Sequence, residues 1–385
     1  MRLRHLGISA LAFLSTYPLA NHAAELAGVQ SNVALPLDAK IPFLPWLIVP
    51  YLTSGIFYVA CFFLVRNRED LRVLSQRLVL ATAGAALIFA IIPMRFSLSR
   101  PNVDQTLIQP LFGLLAEFDR PYNQFPSLHV AYCVIFWHAL RKLTVRMLDR
   151  SMLGLWLGLI ALSTVFIYQH HLLDVAGGFA LGAATLIVVR AGTTAPCIAF
   201  YYFVSAIIVL TVGGLLLHQW PAYYLAASLA LVGMAYVRDD RFFLHKSQGR
   251  FPIRVWLLYA PYLLGYLLTW QVVRLRERGN APFVHAGTGL WVGRRLTALE
   301  AAWLPANCTV IDLANELSET PALRTNRYLH FPLLDLREPP AAAIGNIVDA
   351  MSAESRAGRP IYLHCAMGYS RCRLIARHFL DNVTP

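Results

Sequence analysis

Long apolar runs separated by short polar loops fill residues 1–272, and an ordinary mixture of polar and apolar positions follows. An apolar helix needs about 20 residues to cross a bilayer. Runs of about that length predict membrane-spanning helices at 6–24, 43–65, 77–94, 127–142, 152–169, 173–191, 196–217, 222–237 and 254–272. A signal peptide is the alternative for the first run, but the poor cleavage pattern around Ala20–Ala24 favours an uncleaved span.

Positive charge in the loops predicts the sidedness of these helices, because Lys and Arg favour cytoplasmic loops. The basic loops are 66–77, 141–150 and 238–254, with four, three and four Arg and with one Lys in each of the last two. The loops with few positive residues, predicted to be extracytoplasmic, are 25–42, 102–125 and 168–173. Two placements of the C-terminal part stay open. Nine spans would put it outside the cytoplasm, whereas Arg274, Arg276 and Arg278 favour a cytoplasmic position.

Composition supports a membrane protein. Hydrophobic residues make up 57% of the chain and charged residues only 14%, against about 25% charged in a typical soluble domain. The net charge of +12 comes largely from the loops, so we expect contact with anionic lipid headgroups and no nucleic-acid partner. The six cysteines have neither metal-ligand nor disulfide-framework spacing, so no metal is predicted. The oligomeric state stays open.

Three polar segments lie at the ends of apolar runs on the predicted extracytoplasmic side. His170 and Asp174 are four residues apart, and they share a helical face if the turn is helical. A carboxylate bonded to one imidazole nitrogen leaves the other nitrogen as nucleophile or base. His129, on another helix, can protonate a leaving oxygen, and Arg95 and Arg100 offer forked donors suited to phosphate oxygens.

These segments resemble the motifs of the type 2 phosphatidic acid phosphatase superfamily over roughly residues 40–192. The matching residues are Arg100-Pro101, Pro126-Ser127, His129, Ser163, His170 and Asp174. The resemblance implies a six-helix core in which His170 forms a phosphohistidine, Asp174 orients it and His129 is the general acid. It also implies that Arg100, Ser127 and Ser163 bind the substrate phosphate. Arg95 lies outside the superfamily pattern and is predicted to bind the phosphate in place of a cation that this chain lacks. His171 is interpreted as an orienting or interfacial residue.

Three positions depart from the superfamily pattern, because Pro93, Leu128 and Thr164 stand where it has Lys, Gly and Arg. The segments Tyr122–Val130 and Gln169–Gly178 are more similar to the inositol phosphorylceramide synthase branch. Members of that branch transfer a phospho-headgroup between lipids. Hydrolase and transferase therefore both stay open for this site.

A second candidate site follows the apolar segment that ends at Cys365. A loop with Cys365 first and Arg371 six residues later can direct backbone N–H groups at one phosphate. The following helix would add partial positive charge and make Cys365 a thiolate nucleophile. Arg371 can hold two phosphate oxygens. Gly368 permits the close turn, and Ser370 completes the predicted phosphate-binding loop.

The His-Cys-x-x-Gly-x-x-Arg pattern at 364–371 resembles the signature of the protein tyrosine and dual-specificity phosphatases. The resemblance extends to Leu290–Arg295, Val310–Leu313 and Phe331–Asp335, and it implies that Asp335 is the general acid. Cys372 stands where that family has Ser or Thr. The family fold also continues with further helices, so a C-terminal truncation of the domain stays open.

The predicted fold class is an all-α multi-span membrane domain, with a six-helix phosphatase core plus about three further spans, followed by a small α/β cysteine-phosphatase domain. The predicted divisions are 1–192, 193–278 and 279–385. We predict a bifunctional phosphatase in the bacterial inner membrane. It would act on a phospholipid phosphate or isoprenyl diphosphate without a cofactor, with the histidine site extracytoplasmic. A transferase with a regulatory, phospho-binding cysteine domain is the alternative, and a transporter or scaffold with vestigial motifs is the third hypothesis.

Overall fold

The computed structural model describes residues 1–103, 107–190, 197–287, 289–324 and 327–383. The helices of the apolar part are α1 Arg2–Leu26, α2 Ile48–Leu64, α3 Arg68–Ile91, α4 Gln109–Phe118, α5 Leu128–Leu140, α6 Met147–Phe166, α7 Leu172–Val188, α8 Cys197–Val209, α9 Trp220–Arg238 and α10 Ile253–Arg276. A π-helical segment, Leu210–Leu216, continues α8. Each predicted apolar run coincides with one of these helices.

Some helices of this set are candidate membrane spans by their length and composition. Among the described residues, five helices are long and apolar enough to cross a membrane: Pro45–Leu64, Arg68–Ile91, Met147–Phe166, Ile198–Leu216 and Trp220–Arg238. Helices α5 and α7 are apolar but shorter, while α1 and α10 are long but are not among the five. The division into six core spans and three further spans stays a prediction.

The chain divides into two compact units. The first comprises Met1–Thr194 and Val204–Ala226, and the second comprises Ala195–Phe203 and Ala227–Pro385. The predicted boundary between 192 and 193 falls among residues 191–196, outside the described part of the chain. The second unit contains the start of α8, the later part of α9, all of α10 and the C-terminal domain.

The core of the first unit is built from apolar faces of α1, α2, α3, α5 and α6. Its largest fully buried side chains include Phe62, Leu74, Leu78, Phe136 and Ile160. Helices α5 and α7 approach so closely that a Cβ atom at Gly182 would lie 2.8 Å from Val134. This close packing holds the start of α5 against the start of α7, where the predicted histidines lie.

A five-stranded sheet forms the centre of the C-terminal domain. Its strands are β1 Phe283–Gly287, β2 Leu290–Arg294, β3 Thr309–Ala314, β4 Tyr328–Leu333 and β5 Ile361–Cys365. The order is β1-β2-β5-β3-β4, with β1 antiparallel to β2 and the other pairs parallel. The small mixed-sheet domain agrees with the predicted α/β class, while its assignment as a phosphatase stays a prediction.

Helices complete the C-terminal domain. They are α11 Ala298–Ala301, α12 Ala341–Arg356 and α13 Arg371–Val383. Apolar residues of α12 and α13, including Met351, Ile375 and Phe379, pack on one face of the sheet. Because β3, β4 and β5 are parallel, their carboxyl ends lie at one edge, where parallel sheets commonly bind ligands. Cys365 is the last residue of β5 at that edge.

Candidate active sites

His170 and Asp174 lie together at the turn between α6 and α7, and both side chains are buried. The His170 Nδ1 atom is 3.6 Å from an Asp174 carboxylate oxygen. This separation exceeds a normal hydrogen bond, but active-site hydrogen bonds often tighten only when substrate binds. The Asp174 carboxylate accepts the backbone N–H of His171 at 2.7 Å, so its position at the start of α7 is fixed.

The condition for a shared helical face of His170 and Asp174 is not met, because α7 begins at Leu172 and the turn at His170 is not helical. His170 belongs to the preceding turn, whose Tyr168 has φ 57°. The Thr164 carbonyl accepts the backbone N–H groups of both Gln169 and His170 at 3.0 Å. The turn after α6, rather than helical spacing, brings the imidazole to the carboxylate.

His129 lies in the first turn of α5, close to His170. Their ring centroids are 6.3 Å apart, and the His129 ring also stacks on Tyr51 with a centroid distance of 4.4 Å. The Tyr51 hydroxyl donates to Asp119 at 2.6 Å, and the Tyr17 hydroxyl donates to the same carboxylate at 2.7 Å. Asp119 therefore fixes the ring against which His129 rests, and no local sequence pattern predicted this role.

The two predicted serine ligands differ in their hydrogen bonds. The Ser127 backbone N–H donates to the Asp174 carbonyl at 3.0 Å, and the buried Ser127 hydroxyl has no partner among the described residues. The Ser163 hydroxyl instead donates to the Ile160 carbonyl within α6 at 2.6 Å. Ser127 can therefore offer its hydroxyl to a ligand as it stands, whereas Ser163 would have to rotate.

The two predicted arginine ligands also lie in different surroundings. Arg100 donates to the Tyr168 carbonyl at 3.4 Å and lies over the Phe112 ring. It is therefore held beside the turn that carries His170. Arg95 donates to the Gln30 side chain at 3.1 Å. Each guanidinium keeps a buried Nε atom without a partner in the described residues.

His171 is held by residues that the sequence did not single out. Its Nε2 atom accepts the Ser97 backbone N–H at 3.3 Å, and its Nδ1 atom is 3.7 Å from Asp38. The buried Asp38 carboxylate also accepts the Leu172 backbone N–H at 2.9 Å. These contacts join the loop after α3 to the start of α7 and make His171 a positioning residue.

A family comparison agrees with this arrangement. Residues 75–196 match the family model described as PAP2 superfamily. The matched stretch contains His129, His170 and Asp174, and it implies phosphoesterase activity of the lipid phosphatase kind. Together with the five apolar helices, the match is consistent with a membrane protein. It neither includes the C-terminal domain nor distinguishes the inositol phosphorylceramide synthase branch.

Two further comparisons add no relative. Neither the curated proteins nor the solved structures contain a significant match to the chain. The C-terminal site must therefore be interpreted from its own geometry.

Gly178 of the PAP2 stretch lies where α7 meets α5. An added Cβ atom there would be 2.5 Å from the Ser127 carbonyl oxygen and 2.8 Å from Val130 Cβ. We expect Gly178→Ala to lower stability by about 1–3 kcal/mol, as overpacking usually does, and to reduce phosphate release by displacing the first turn of α5. Thermal unfolding in detergent and phosphate release measure the two effects.

Gly158→Ala on α6 is the matched control, because an added Cβ atom at Gly158 has nothing within 4 Å. This control should retain full activity and at least wild-type stability, since Ala favours a helix over Gly. Equal behaviour of the two variants would contradict the packing argument.

The C-terminal domain places Cys365 and Arg371 at the two ends of one loop. Cys365 ends β5 and Arg371 begins α13, as predicted from the sequence. Gly368 between them has φ 78°, and an added Cβ atom would be 2.9 Å from the Arg294 backbone nitrogen. A side chain at this position would be strained and crowded, so the loop requires glycine. Ser370 is exposed, and its carbonyl accepts the Leu374 N–H.

Arg371 is buried, and its guanidinium is held by hydrogen bonds at the carboxyl edge of the sheet. Its guanidinium pairs with both carboxylate oxygens of Glu316 and donates to the Leu333 carbonyl at 2.9 Å. Asp335 lies 3.2 Å from the same guanidinium and accepts the Tyr266 hydroxyl at 2.9 Å. The Arg371 Nε atom has no partner among the described residues, so this N–H donor can still bind an anion.

Cys365 has a thiol that ionises readily. Its sulfur is 3.5 Å from the Cys372 sulfur. The Cys365 thiol donates to that sulfur, and the Cys372 thiol donates to the Gly293 carbonyl at 3.5 Å. Once Cys365 is ionised, the Cys372 thiol can turn to donate to it, and this hydrogen bond holds the pKa of Cys365 well below its ordinary value. Burial opposes this effect, while the Arg371 charge and the backbone N–H groups of Cys372 and Gly368 add to it. These donors are what a thiolate nucleophile needs.

A buried charged network lies beside this loop. The Lys246 ammonium is 2.5 Å from Asp312 and donates to the Ala314 carbonyl at 2.7 Å. His364, next to Cys365 in β5, is 2.8 Å from Glu319. Burial opposes ionisation of Asp312, but Lys246 and His364 hold its pKa below the ordinary range.

The same network brings together two carboxylates and a histidine, which are residue types that bind metals. Their proximity was not predicted from the spacing of these residues in the sequence. One ligand atom each of Asp312, Glu319 and His364 lies within 4.8 Å of the others. Lys246 already brings a cation to Asp312 and is itself fully buried. We therefore interpret the cluster as an internal ion-pair network that supports β3 and β5 beside Cys365.

Proposed function

We propose that this protein is a bifunctional membrane phosphoesterase with one histidine site and one cysteine site. The substrate of the histidine site would be a membrane lipid, either a phospholipid phosphate or an isoprenyl diphosphate. The proposed location is the bacterial inner membrane, with the histidine site facing the extracytoplasmic side. The convergence of His129, His170 and Asp174 in the PAP2 stretch is the observation that carries the proposal.

At the histidine site, the His170 Nε2 atom attacks phosphorus while Asp174 holds the proton on Nδ1. The bond from phosphorus to the leaving oxygen breaks, and His129 gives that oxygen a proton. Water then attacks the phosphohistidine, loses a proton to His129 and releases phosphate with regeneration of His170. The proximity of the two rings on different helices supports this division of roles.

The phosphate at this site would be bound by Arg100, Arg95 and the Ser127 hydroxyl. All three keep a buried polar atom without a partner in the described residues. The superfamily's Lys and third-motif Arg are replaced by Pro93 and Thr164. Fewer cations would weaken binding of a doubly charged phosphate monoester more than that of a singly charged diester.

At the cysteine site, the Cys365 thiolate attacks phosphorus, and the leaving oxygen takes a proton from Asp335. Water then attacks the phosphocysteine and gives a proton to the Asp335 carboxylate, which releases phosphate and regenerates the thiolate and the Asp335 acid. Two features support this mechanism. The pKa of Cys365 is held below its ordinary value, and the Arg371 Nε atom has no partner among the described residues. The substrate class is a phospho-headgroup or related phosphoester. Neither mechanism requires a cofactor.

Cys372→Ala tests the origin of the thiolate. Removal of the Cys372 hydrogen bond should raise the pKa of Cys365, so cysteine-dependent activity should be lost first at the acid end of the pH range. The measurement is kcat/KM against pH for hydrolysis of a soluble aryl phosphate by the full chain. Cys308→Ala, at another buried cysteine of this domain, should keep the wild-type profile. An unshifted profile in Cys372→Ala would contradict the assignment.

A transferase with a regulatory cysteine domain is the second candidate function, and two observations favour it. Thr164 stands at the superfamily's Arg position, and its hydroxyl already donates a hydrogen bond to the Ala161 carbonyl. Asp335, the proposed acid, already lies 3.2 Å from Arg371. An Asp335 carboxylate engaged in this way must release the guanidinium before it can act as an acid.

The deciding experiment is product analysis with purified protein and a panel of phospholipid phosphates, isoprenyl diphosphates and phosphodiester lipids. Free phosphate that depends on His170 supports the hydrolase. New lipid species that depend on His170, without free phosphate, would replace the hydrolase by the transferase. Phosphate release that persists in a double variant lacking both His170 and Cys365 would overturn both functions.

A further inference from the structure

In the second unit, polypeptide from both ends of α10 contacts the C-terminal domain. Before the helix, Lys246 is bonded to Asp312, and the Gly249 carbonyl accepts the Glu319 N–H at 2.8 Å. After the helix, Glu277 accepts the Tyr369 hydroxyl at 2.6 Å. One small polar domain therefore contacts the chain on both sides of α10.

The middle of α10 also packs on this domain. Tyr266 donates to Asp335 at 2.9 Å, and the buried Trp270 donates to the Arg295 carbonyl at 2.9 Å. The helix kinks at Tyr259, before Pro261. Beyond the kink, the buried Tyr262 and Leu263 belong to an apolar cluster formed by residues of α8, α9 and the following loop, together with Leu334 of the C-terminal domain. A helix crossing the hydrocarbon core of about 30 Å could not keep these contacts unless the polar domain entered the bilayer.

The outer face of α10 carries a row of exposed apolar residues between Ile253 and Leu275. Its exposed residues recur at helical spacing: Ile253, Leu257, Leu264, Leu268, Val272 and Leu275. Leu257 and Leu268 are 67% and 66% exposed, which is costly in water for a continuous row. Arginines flank the row at both ends: Arg250, Arg254, Arg274, Arg276 and Arg278. Such a row can enter lipid while the flanking arginines stay at the level of the headgroups.

We propose that α10 does not cross the bilayer but lies in the plane of its cytoplasmic leaflet. The outer row would enter the lipid, the arginines would contact anionic headgroups, and the inner face would hold the C-terminal domain. The leaflet is the occupant that fits, because α9 is apolar enough to span and the linking loop is only residues 239–252. That loop is basic, which assigns the cytoplasmic side.

This arrangement decides between the two placements left open by the sequence. The arginines after α10 and the basic loop before it lie on the same side, so the positive-inside rule holds for both. The proposal does not depend on the activity of either site. The cysteine domain would be cytoplasmic and pressed against the membrane surface.

Cysteine labelling of the full chain in cells tests the topology. Ser247→Cys and Asn280→Cys flank α10 at exposed positions, while Val145→Cys and Asn32→Cys are references in predicted cytoplasmic and extracytoplasmic loops. The unmodified chain gives the background from native cysteines. Both flanking positions should react with an impermeant maleimide only after permeabilisation, as Val145→Cys does. Labelling of the two flanks from opposite sides, or of both from outside, would overturn the proposal.

Depth measurement with spin labels tests the lipid contact. Labels at Leu257 and Leu268, in nanodiscs containing anionic lipid, should both lie about 5–10 Å below the headgroup boundary. A label at Asn280 is the water-exposed control. A Leu268 label near the bilayer centre would show a crossing helix. Labels shielded from both lipid and water quenchers would show a protein partner, and labels open to water would show a free surface. Each of these three results would overturn the proposal.

Discussion

His170→Ala should abolish phosphate release from the lipid substrate, with a fall in kcat/KM of about 10⁴-fold or more, as for other residues that form a covalent intermediate. Alanine has no nitrogen with which to attack phosphorus, and His129 cannot replace it from its position stacked on Tyr51. The measurement is phosphate release by purified protein in mixed micelles. Lipid products are followed in parallel, so that a transferase would also be detected.

His218→Ala is the matched control for this variant. His218 is exposed at the junction before α9 and has no role in the proposed machinery, so activity should stay at the wild-type level. Hydrolysis of a soluble aryl phosphate by the cysteine site should persist in His170→Ala. This result would show that the protein is folded. Retention of even a tenth of the wild-type lipid activity would rule out His170 as the nucleophile.

Local sequence patterns predicted the helices and the cysteine loop. A run of about 20 apolar residues can satisfy its backbone in lipid only as a helix, so the pattern alone determines the element. Between Cys365 and Arg371 the loop is short, and Gly368 is required by its positive φ. Both results depend on residues close together in the chain, where spacing is informative.

The partners of the histidine site could not be predicted, because they come from distant segments. Asp119 is joined to Tyr17 and Tyr51, and Asp38 lies beside His171. A single carboxylate in a polar loop carries no signal of such contacts. Spacing was also misleading for His170, since H-x-x-x-D suggested one helical face whereas a turn makes the contact.

The environment of α10 shows a further limit on what can be predicted from composition. Its sequence is apolar on all sides, which predicts a span. The structure shows that one side is covered by the C-terminal domain. Hydropathy cannot distinguish burial in protein from burial in lipid, because both environments exclude water.

Cys365→Ser should abolish hydrolysis of a soluble aryl phosphate by the full chain, with a loss of about 10⁴-fold or more, as expected for a covalent nucleophile. A serine hydroxyl is not ionised near neutral pH, whereas the pKa of the Cys365 thiol is held well below its ordinary value by Cys372 and then by Arg371. The change replaces one atom in a side chain that is 2% exposed, so the loop should keep its fold. The measurement is turnover of wild type and variant at several pH values.

Cys308→Ser is the matched control, because Cys308 is equally buried but its thiol pKa is raised by burial to about 12. It should therefore leave turnover unchanged. Lipid activity that depends on His170 should be the same in Cys365→Ser and in wild type. If the wild type hydrolyses no aryl phosphate but Cys365→Ser changes the His170-dependent activity, the cysteine domain is a phosphate-binding regulator. Glu316 and Asp335 would then serve to hold Arg371 until a phosphate displaces them.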